Sequence, residues 1–189
     1  IGRVLDMRAD YDAAFDHFTQ SNHLASGVYD PSVEDKRLTE VRRVFTRPFF
    51  DARHGYGLRG HGGIFIVGPP RTGSTLIEQM LKAHPGIESC GESGAVRDID
   101  QGQRRLHKGS ANDANSFGHI ETIGPELIEQ AASAYLSKTA KQMGLLRPDV
   151  MLRRRVDKKL SNFLHTGLIH LMFPDAVFLQ VRRHPLDVC

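Results

Sequence analysis

Cysteine is scarce in this chain, with Cys90 and Cys189 the only two. Two cannot form a disulfide framework, so a reducing compartment and a cytoplasmic location are the expectation. Long apolar runs are missing as well. No stretch approaches the roughly 18 residues of a membrane helix, and no signal-peptide pattern opens the chain. Charge of one sign is not concentrated either: the formal net charge is +3 and the pI about 9.0. That balance suits an anionic ligand. Without interleaved aromatic and basic residues it gives no case for nucleic acid as a partner. The histidines of HGYGLRGHGG, His54 and His61, lack a cysteine or carboxylate at ligand spacing, so no metal site is expected. A starting methionine is also lacking. The chain opens at Ile1 within a helical pattern and stops at Cys189 just after a strand and a charged turn. It therefore reads as a fragment, truncated at its C-terminal end.

What is present is an ordinary globular mixture of 189 residues, 40% hydrophobic and 25% charged, enough for one core and a small appendage. Residues 1–25 read as helix, with Val4, Leu5, Tyr11, Ala14, Phe15, Phe18 and Leu24 at helical spacing and a break near Ala9-Asp10. The piece DYDAAFDHFTQSNHL resembles the second half of a tetratricopeptide repeat; a plain amphipathic hairpin is the alternative. If it is a repeat, other repeats precede it and offer a surface for a protein partner. Residues 26–62 read as a linker, with a short helix in VEDKRLTEVRRVF and Phe49-Phe50 available to a core.

From residue 63 to 189 the pattern is α/β. IFIV, Ile64–Val67, is a continuous β-branched and apolar run, as in a buried parallel strand. The helix that follows, Ser74 to Ala83, is expected to turn Leu76, Met80 and Leu81 inward. Asp98 to Phe117 reads as a mobile polar loop. A helix begins at Pro125, with Leu127, Ile128, Ala131, Tyr135 and Leu136 on one face, and ends at Gly144. MLRRRVDKKL gives a strand and a charged turn, NFLHTGLIHLMF a helix, and VFLQV a second buried strand. The order implies a P-loop-like parallel sheet flanked by helices.

Between IFIV and its helix lies GPPRTGST, Gly68 to Thr75. It has the form G-x-x-x-x-G-K-S/T of a nucleotide-binding loop, except that Ser74 occupies the lysine position. A glycine turn at a helix N-terminus aims several N–H groups and the positive end of the helix dipole at one point. Gly73 allows close approach, Ser74 and Thr75 add hydroxyl donors, and the cation is Arg71, whose fork matches two anionic oxygens. Such a loop suits an anion less charged than a triphosphate, and a phosphosulfate fits.

On these residues the chain resembles sulfotransferases that use 3′-phosphoadenosine 5′-phosphosulfate (PAPS). Their 5′-phosphosulfate loop reads Pro, Lys or Arg, Ser or Thr, Gly, Ser or Thr, Thr; Pro70, Arg71, Thr72, Gly73, Ser74 and Thr75 follow it. VRRHPLDVC resembles the family's 3′-phosphate segment through Arg183, Pro185 and Asp187, with His184 where Asp or Asn is usual. The serine that closes that motif would fall beyond Cys189. LKAHPGIESCGES resembles the tyrosylprotein sulfotransferases and the bacterial sulfotransferases with tetratricopeptide repeats. VDKKLSNFLHTGLIHLMFPDA resembles the bacterial group through Asp157, Lys158, Asn162 and Phe163, with Leu160 in place of a proline.

The resemblance implies transfer of a sulfuryl group from PAPS to an acceptor hydroxyl or amine by in-line displacement, leaving adenosine 3′,5′-bisphosphate. It implies cofactor binding by Pro70, Arg71, Thr72, Gly73, Ser74, Thr75 and Arg183. Arg71 would also offset charge on the leaving phosphate, Glu92 would act as general base, and Lys158 would stabilise the bridging oxygen. His165 or His170 is the alternative base, and the sequence alone does not separate Lys158 from Lys159. Arg153, Arg154 and Arg155 read as a solvated face or an attraction for an acidic acceptor. Asp187 is expected to support its turn, and Cys90 to be structural. The acceptor, whether protein, peptide, glycan or small molecule, is not legible. Two rivals stand beside this reading. A P-loop kinase or NTPase would want a lysine at Ser74 and an acidic Mg²⁺ partner. A repeat-bearing interaction module would have no catalysis. Because the fragment lacks the downstream part of the 3′-phosphate motif, it is expected to bind PAPS poorly and to be inactive alone.

Overall fold

The computed structural model describes residues 1–25, 30–106, 117–144 and 154–188. These fall into two compact units, 1–35 and 36–189. In the first, α1 (Gly2–Met7) and α2 (Tyr11–Ala25) pack on one another, and α3 (Pro31–Val44) begins. The break between α1 and α2 is at Ala9, whose φ of 61° ends the helical path. Asp10 then accepts the N–H of Ala14 through its carbonyl and that of Ala13 through its side chain. Of the apolar stripe on these helices Ala14 is buried, whereas Tyr11, Phe15, Phe18 and Leu24 are exposed.

The second unit holds α4 (Arg47–Asp51), β1 (Ile64–Val67), α5 (Ser74–Lys82), β2 (Ile87–Ser89), α6 (Ala95–Leu106), α7 (Gly118–Glu121), α8 (Pro125–Gln142), β3 (Arg154–Asp157), a 3₁₀ turn (Leu160–His165), α9 (Thr166–Met172), β4 (Val177–Gln180) and α10 (Pro185–Val188). All strand pairs are parallel, in the order β2-β3-β1-β4. The period-2 alternation of β1 divides the core. Phe65 faces a large cluster with Val96, Ile128, Tyr135, Leu168 and Met172, while Ile64 and Ile66 face a smaller one with Val156, Val181, Ile77 and Leu81. Within the span read as a linker, α3 and α4 bring Val44, Phe45, Phe49 and Phe50 against the large cluster. Among the described residues no helix is long and apolar enough to cross a membrane.

Several local expectations are corrected. On α5 it is Ile77 and Leu81 that pack, with Ser74 and Glu78 buried beside them; Leu76 and Met80 are 66% and 67% exposed. A shift of one residue rotates a helix face by about 100°, and this helix carries apolar residues on both candidate faces. The segment from Asp98 to Leu106 is not a loop but most of α6. Its inward face is apolar at Ala95, Val96 and Ile99 and then polar: Asp100 is buried and accepts from Arg104 Nε at 2.8 Å and from His119 Nε2 at 3.0 Å. Residues 107–116 of that expected loop lie outside the described residues. Leu127 is exposed on α8. The first four residues of VFLQV form β4, a half-exposed edge strand among the described residues rather than a buried one, and Val181 just beyond it is buried. Of the arginine run, Arg155 is buried and not part of a solvated face; Arg153 lies outside the described residues.

Candidate active site

In a parallel sheet the connections that leave the carboxyl ends of neighbouring strands meet at one edge, and ligands bind there. Here the turns after all four strands carry the residues singled out above: 68–73 after β1, 90–92 after β2, 158–159 after β3 and 181–183 after β4.

The loop after β1 starts with Gly68 at φ 142°, where a Cβ would lie 2.4 Å from the Val181 carbonyl oxygen. Only glycine lets the chain pass this close to the end of β4. Thr72 is buried, and its hydroxyl donates to the Pro69 carbonyl at 2.8 Å, closing the loop on itself. Arg71 has a φ of 63°, a left-handed conformation that costs a non-glycine residue energy. Gly73, at φ 90°, is the cap of α5 and has no side chain to take up the first N–H groups. Those donors, with Ser74 and Thr75, are available to an anion. Arg71, Gly73, Ser74, Thr75, Arg183 and Asp187 line one cavity of about 390 Å³. The two arginines, far apart in sequence, thus border the same space. Arg183 Nε is 3.7 Å from Asp187 Oδ2, an exposed pair that steadies the turn at α10.

On the other side of the loop, Val67, Gly68, Pro69, Pro70, Leu160 and Phe163 give mostly apolar walls to a larger cavity of about 710 Å³, into which Glu92, Lys159, Ser161 and Gln180 also project. Glu92 and Lys158 are aligned by the pairing of β2 with β3. The ladder runs on past Ser89↔Val156, with Cys90 N–H donating to the Val156 carbonyl and Lys158 N–H to the Gly91 carbonyl. Lys158 Nζ reaches 3.1 Å from Glu92 Oε1, 3.4 Å from Thr75 Oγ1 and 3.7 Å from Glu78 Oε2. Its side chain is 12% exposed, against 55% for Glu92. Lys159 Nζ is 3.9 Å from the other carboxylate oxygen of Glu92. Lys158 therefore reaches Thr75 at the start of α5, while Lys159 lines the larger cavity beside Gly68, Pro69 and Pro70.

Three supporting residues were not found by sequence reasoning. Glu78 is buried on α5, one turn after Ser74 and Thr75; its i, i+4 and i, i+3 spacing to them was the available signal. Ser89 donates its hydroxyl to Glu78 and accepts the Gly91 N–H. Asp157, matched above only as part of a motif, braces the lysine turn. It is fully buried, accepts the Lys159 N–H at 2.9 Å and the Tyr135 hydroxyl at 3.1 Å. Burial pushes its carboxyl up to about 6, against the opposing pull of the Lys159, Tyr135, Ser93 and Asn162 hydrogen bonds. Burial likewise pushes the Cys90 thiol up to about 12, and its Sγ donates to the Val156 carbonyl, so it is an unreactive packing residue. Neither alternative histidine faces the loop. His165 is buried with Nε2 3.6 Å from Asp100, whose carboxyl is held well below the usual range by His119, His165 and Arg104 despite burial. His170 packs edge-on against Phe50. Among the described residues no cluster of histidine, cysteine or carboxylate groups is placed to hold a metal ion.

Residues 63–189 match the model of the sulfotransferase family. An uncharacterized protein of Aquifex aeolicus is 32% identical over 98% of this chain and 24% of its own length. Protein-tyrosine sulfotransferase A of Caenorhabditis elegans is 29% identical over 88% of this chain and 40% of its own. Human protein-tyrosine sulfotransferase 1 is 28% identical over 64% of this chain and 30% of its own. The chain thus spans less than half the length of each of these relatives. No solved structure gives a significant match. The matched span is two thirds of the chain, and the chain belongs to the sulfotransferase family.

Proposed function

We propose that the protein transfers a sulfuryl group from PAPS to a hydroxyl or amine acceptor by in-line displacement. The observation that carries this reading is the division of the strand ends by one loop. A cavity with two arginines lies on one side, and an apolar cavity bordered by Glu92 lies on the other. The residues fit the donor: Arg71 and the α5 N-terminus would hold its 5′-phosphosulfate, with Pro70, Thr72, Gly73, Ser74 and Thr75 shaping the cradle, and Arg183 its 3′-phosphate. When bound, PAPS supplies the sulfuryl group and a leaving phosphate on which charge develops. Glu92 takes the acceptor's proton. Lys158 and Arg71 direct positive charge toward the leaving oxygen. Pro70 and Phe163, on the walls of the apolar cavity, orient the acceptor and keep water from it.

A phosphoryl-transferring P-loop enzyme would place a lysine where the buried Ser74 stands. Here the amine near the loop is Lys158, arriving from β3. The names of the tyrosine-directed relatives make a phenolic hydroxyl one acceptor to try, and α1 and α2 would serve as a repeat-like docking unit for a protein partner. The test is calorimetric binding of adenosine 3′,5′-bisphosphate to the full-length protein, beside ATP–Mg²⁺ and an Arg71→Ala variant. Preference for the bisphosphate, lost in the variant, is expected. Preference for ATP–Mg²⁺ would refute the reading.

A further inference from the structure

Glu78 has no part in the chemistry described so far, yet it touches both arms of the site. Its Oε2 is 3.7 Å from Lys158 Nζ. Its Oε1 accepts the Ser89 hydroxyl, and Ser89 Oγ accepts the Gly91 N–H at 2.9 Å, one residue before Glu92. A single buried carboxylate thus reaches the ammonium directly and the base-bearing turn through one serine. Placing a charge in this position is costly unless it is paired.

The count of charges explains the pairing. Lys158 has two carboxylate neighbours, Glu92 and Glu78. In the proposed reaction the acceptor's O–H proton passes to Glu92, the acceptor oxygen bonds to sulfur, and the bond from sulfur to the bridging oxygen breaks with its electron pair left on the phosphate. Glu92 becomes neutral in that step and stops balancing Lys158. A lysine beside a neutral carboxyl in a partly enclosed site loses its proton more easily. Glu78 is not among the residues lining the acceptor cavity, so the acceptor's proton is not passed to it.

We propose that Glu78 is a positioning residue: the standing counter-ion that keeps Lys158 charged and aimed at the loop while Glu92 is protonated. This rests on the sulfuryl-transfer reading for its purpose, though not for its measurement. In the full-length protein, Lys158 is titrated by NMR of its side-chain nitrogen in Glu92→Gln, which mimics the protonated base, and in Glu92→Gln with Glu78→Gln. Lys158 is expected to keep its charge in the first variant and to lose it at a pH lower by about one unit or more in the second. Identical titrations would overturn the proposal. Glu78→Asp, which keeps the charge, is expected to restore the first result.

If Glu78→Gln fails to fold, the reciprocal measurement decides. The Glu78 carboxyl, titrated in Lys158→Met, is expected to move to higher pH than in the wild type, and no movement would overturn the proposal. Bisphosphate binding by the wild type, measured alongside, reports separately on the sulfuryl-transfer reading. Its absence would remove that reading and leave the Glu78–Lys158 coupling decided by the titrations.

Discussion

Lys158 Nζ lies 3.1 Å from Glu92 Oε1, although the two residues belong to the turns after different strands. The distance is a product of backbone register: the β2–β3 ladder sets the Gly91 carbonyl on the Lys158 N–H, and the side chains follow. Removing Glu92, the exposed member of the pair, should therefore affect chemistry more than binding or folding. Glu92→Gln is expected to lower kcat by roughly 10²- to 10⁴-fold, the scale of a lost general base. Lys158→Ala should cost about 10²- to 10³-fold, as for a lost electrostatic stabiliser. Bisphosphate affinity in Glu92→Gln should stay within twofold of wild type. A Glu92→Gln enzyme with wild-type kcat would remove that residue from the role of base.

Arg71 and Arg183 border the same cavity from the ends of β1 and β4. A charge-assisted bond to an anion contributes on the order of 1.5–3 kcal/mol, so each alanine variant should weaken bisphosphate binding by about 10- to 100-fold. The two should differ toward adenosine 5′-phosphosulfate, which lacks the 3′-phosphate. Arg71→Ala should weaken its binding, and Arg183→Ala should leave it unchanged. Calorimetry with both nucleotides separates these outcomes, and an equal loss in both variants would contradict the assignment of Arg183 to the 3′-phosphate.

The parts of the site that the sequence makes legible are those built from local rules. IFIV reads as a buried strand because both of its faces are covered, and the loop after it reads as an anion cradle because its donors are backbone groups placed by glycine. What stays hidden depends on distant partners. Glu78 looks like a surface residue until Ser89 and Lys158 arrive beside it. The C-terminal part of α6 looks like a loop because its buried residue there is Asp100, which becomes an acceptable interior residue through Arg104, His119 and His165. Adjacent lysines at 158 and 159 are equivalent on paper; both approach Glu92, but Lys158 also reaches Thr75 while Lys159 lines the larger cavity.

Gly68 and Gly73 both have positive φ, yet they should respond differently to alanine. At Gly68 the new Cβ meets the Val181 carbonyl oxygen at 2.4 Å, while at Gly73 it meets nothing within 4 Å. Gly73→Ala should show conformational strain alone, on the order of 1–3 kcal/mol. Gly68→Ala should lose more, because loop or β4 must also move. Thermal unfolding of the two variants checks the order; equal Tm losses would mean that the loop does not pass as close to β4 as described.

Asp157 gives the fold a pH dependence whose sign can be worked out. Its carboxyl rises from the ordinary 3.8 to about 6 on folding, chiefly through burial. Between these values the folded chain holds a proton that the unfolded chain has released, so this residue's contribution is fully present below about pH 4 and falls as pH rises to about 6. The loss amounts to roughly 3 kcal/mol at 1.4 kcal/mol per unit. Asp100 has the opposite sign: its carboxyl is lowered by His119, His165 and Arg104, so its contribution is present above the ordinary carboxylate value and is lost on acidification below it. The two act in adjoining windows and can be separated by substitution. Asp157→Asn retains an oxygen for the Lys159 N–H and removes the titration. Relative to wild type it should gain stability steadily from pH 4 to pH 7 in urea unfolding. A difference that stays flat across that range would mean that Asp157 is ionised in the folded protein as readily as in the unfolded chain.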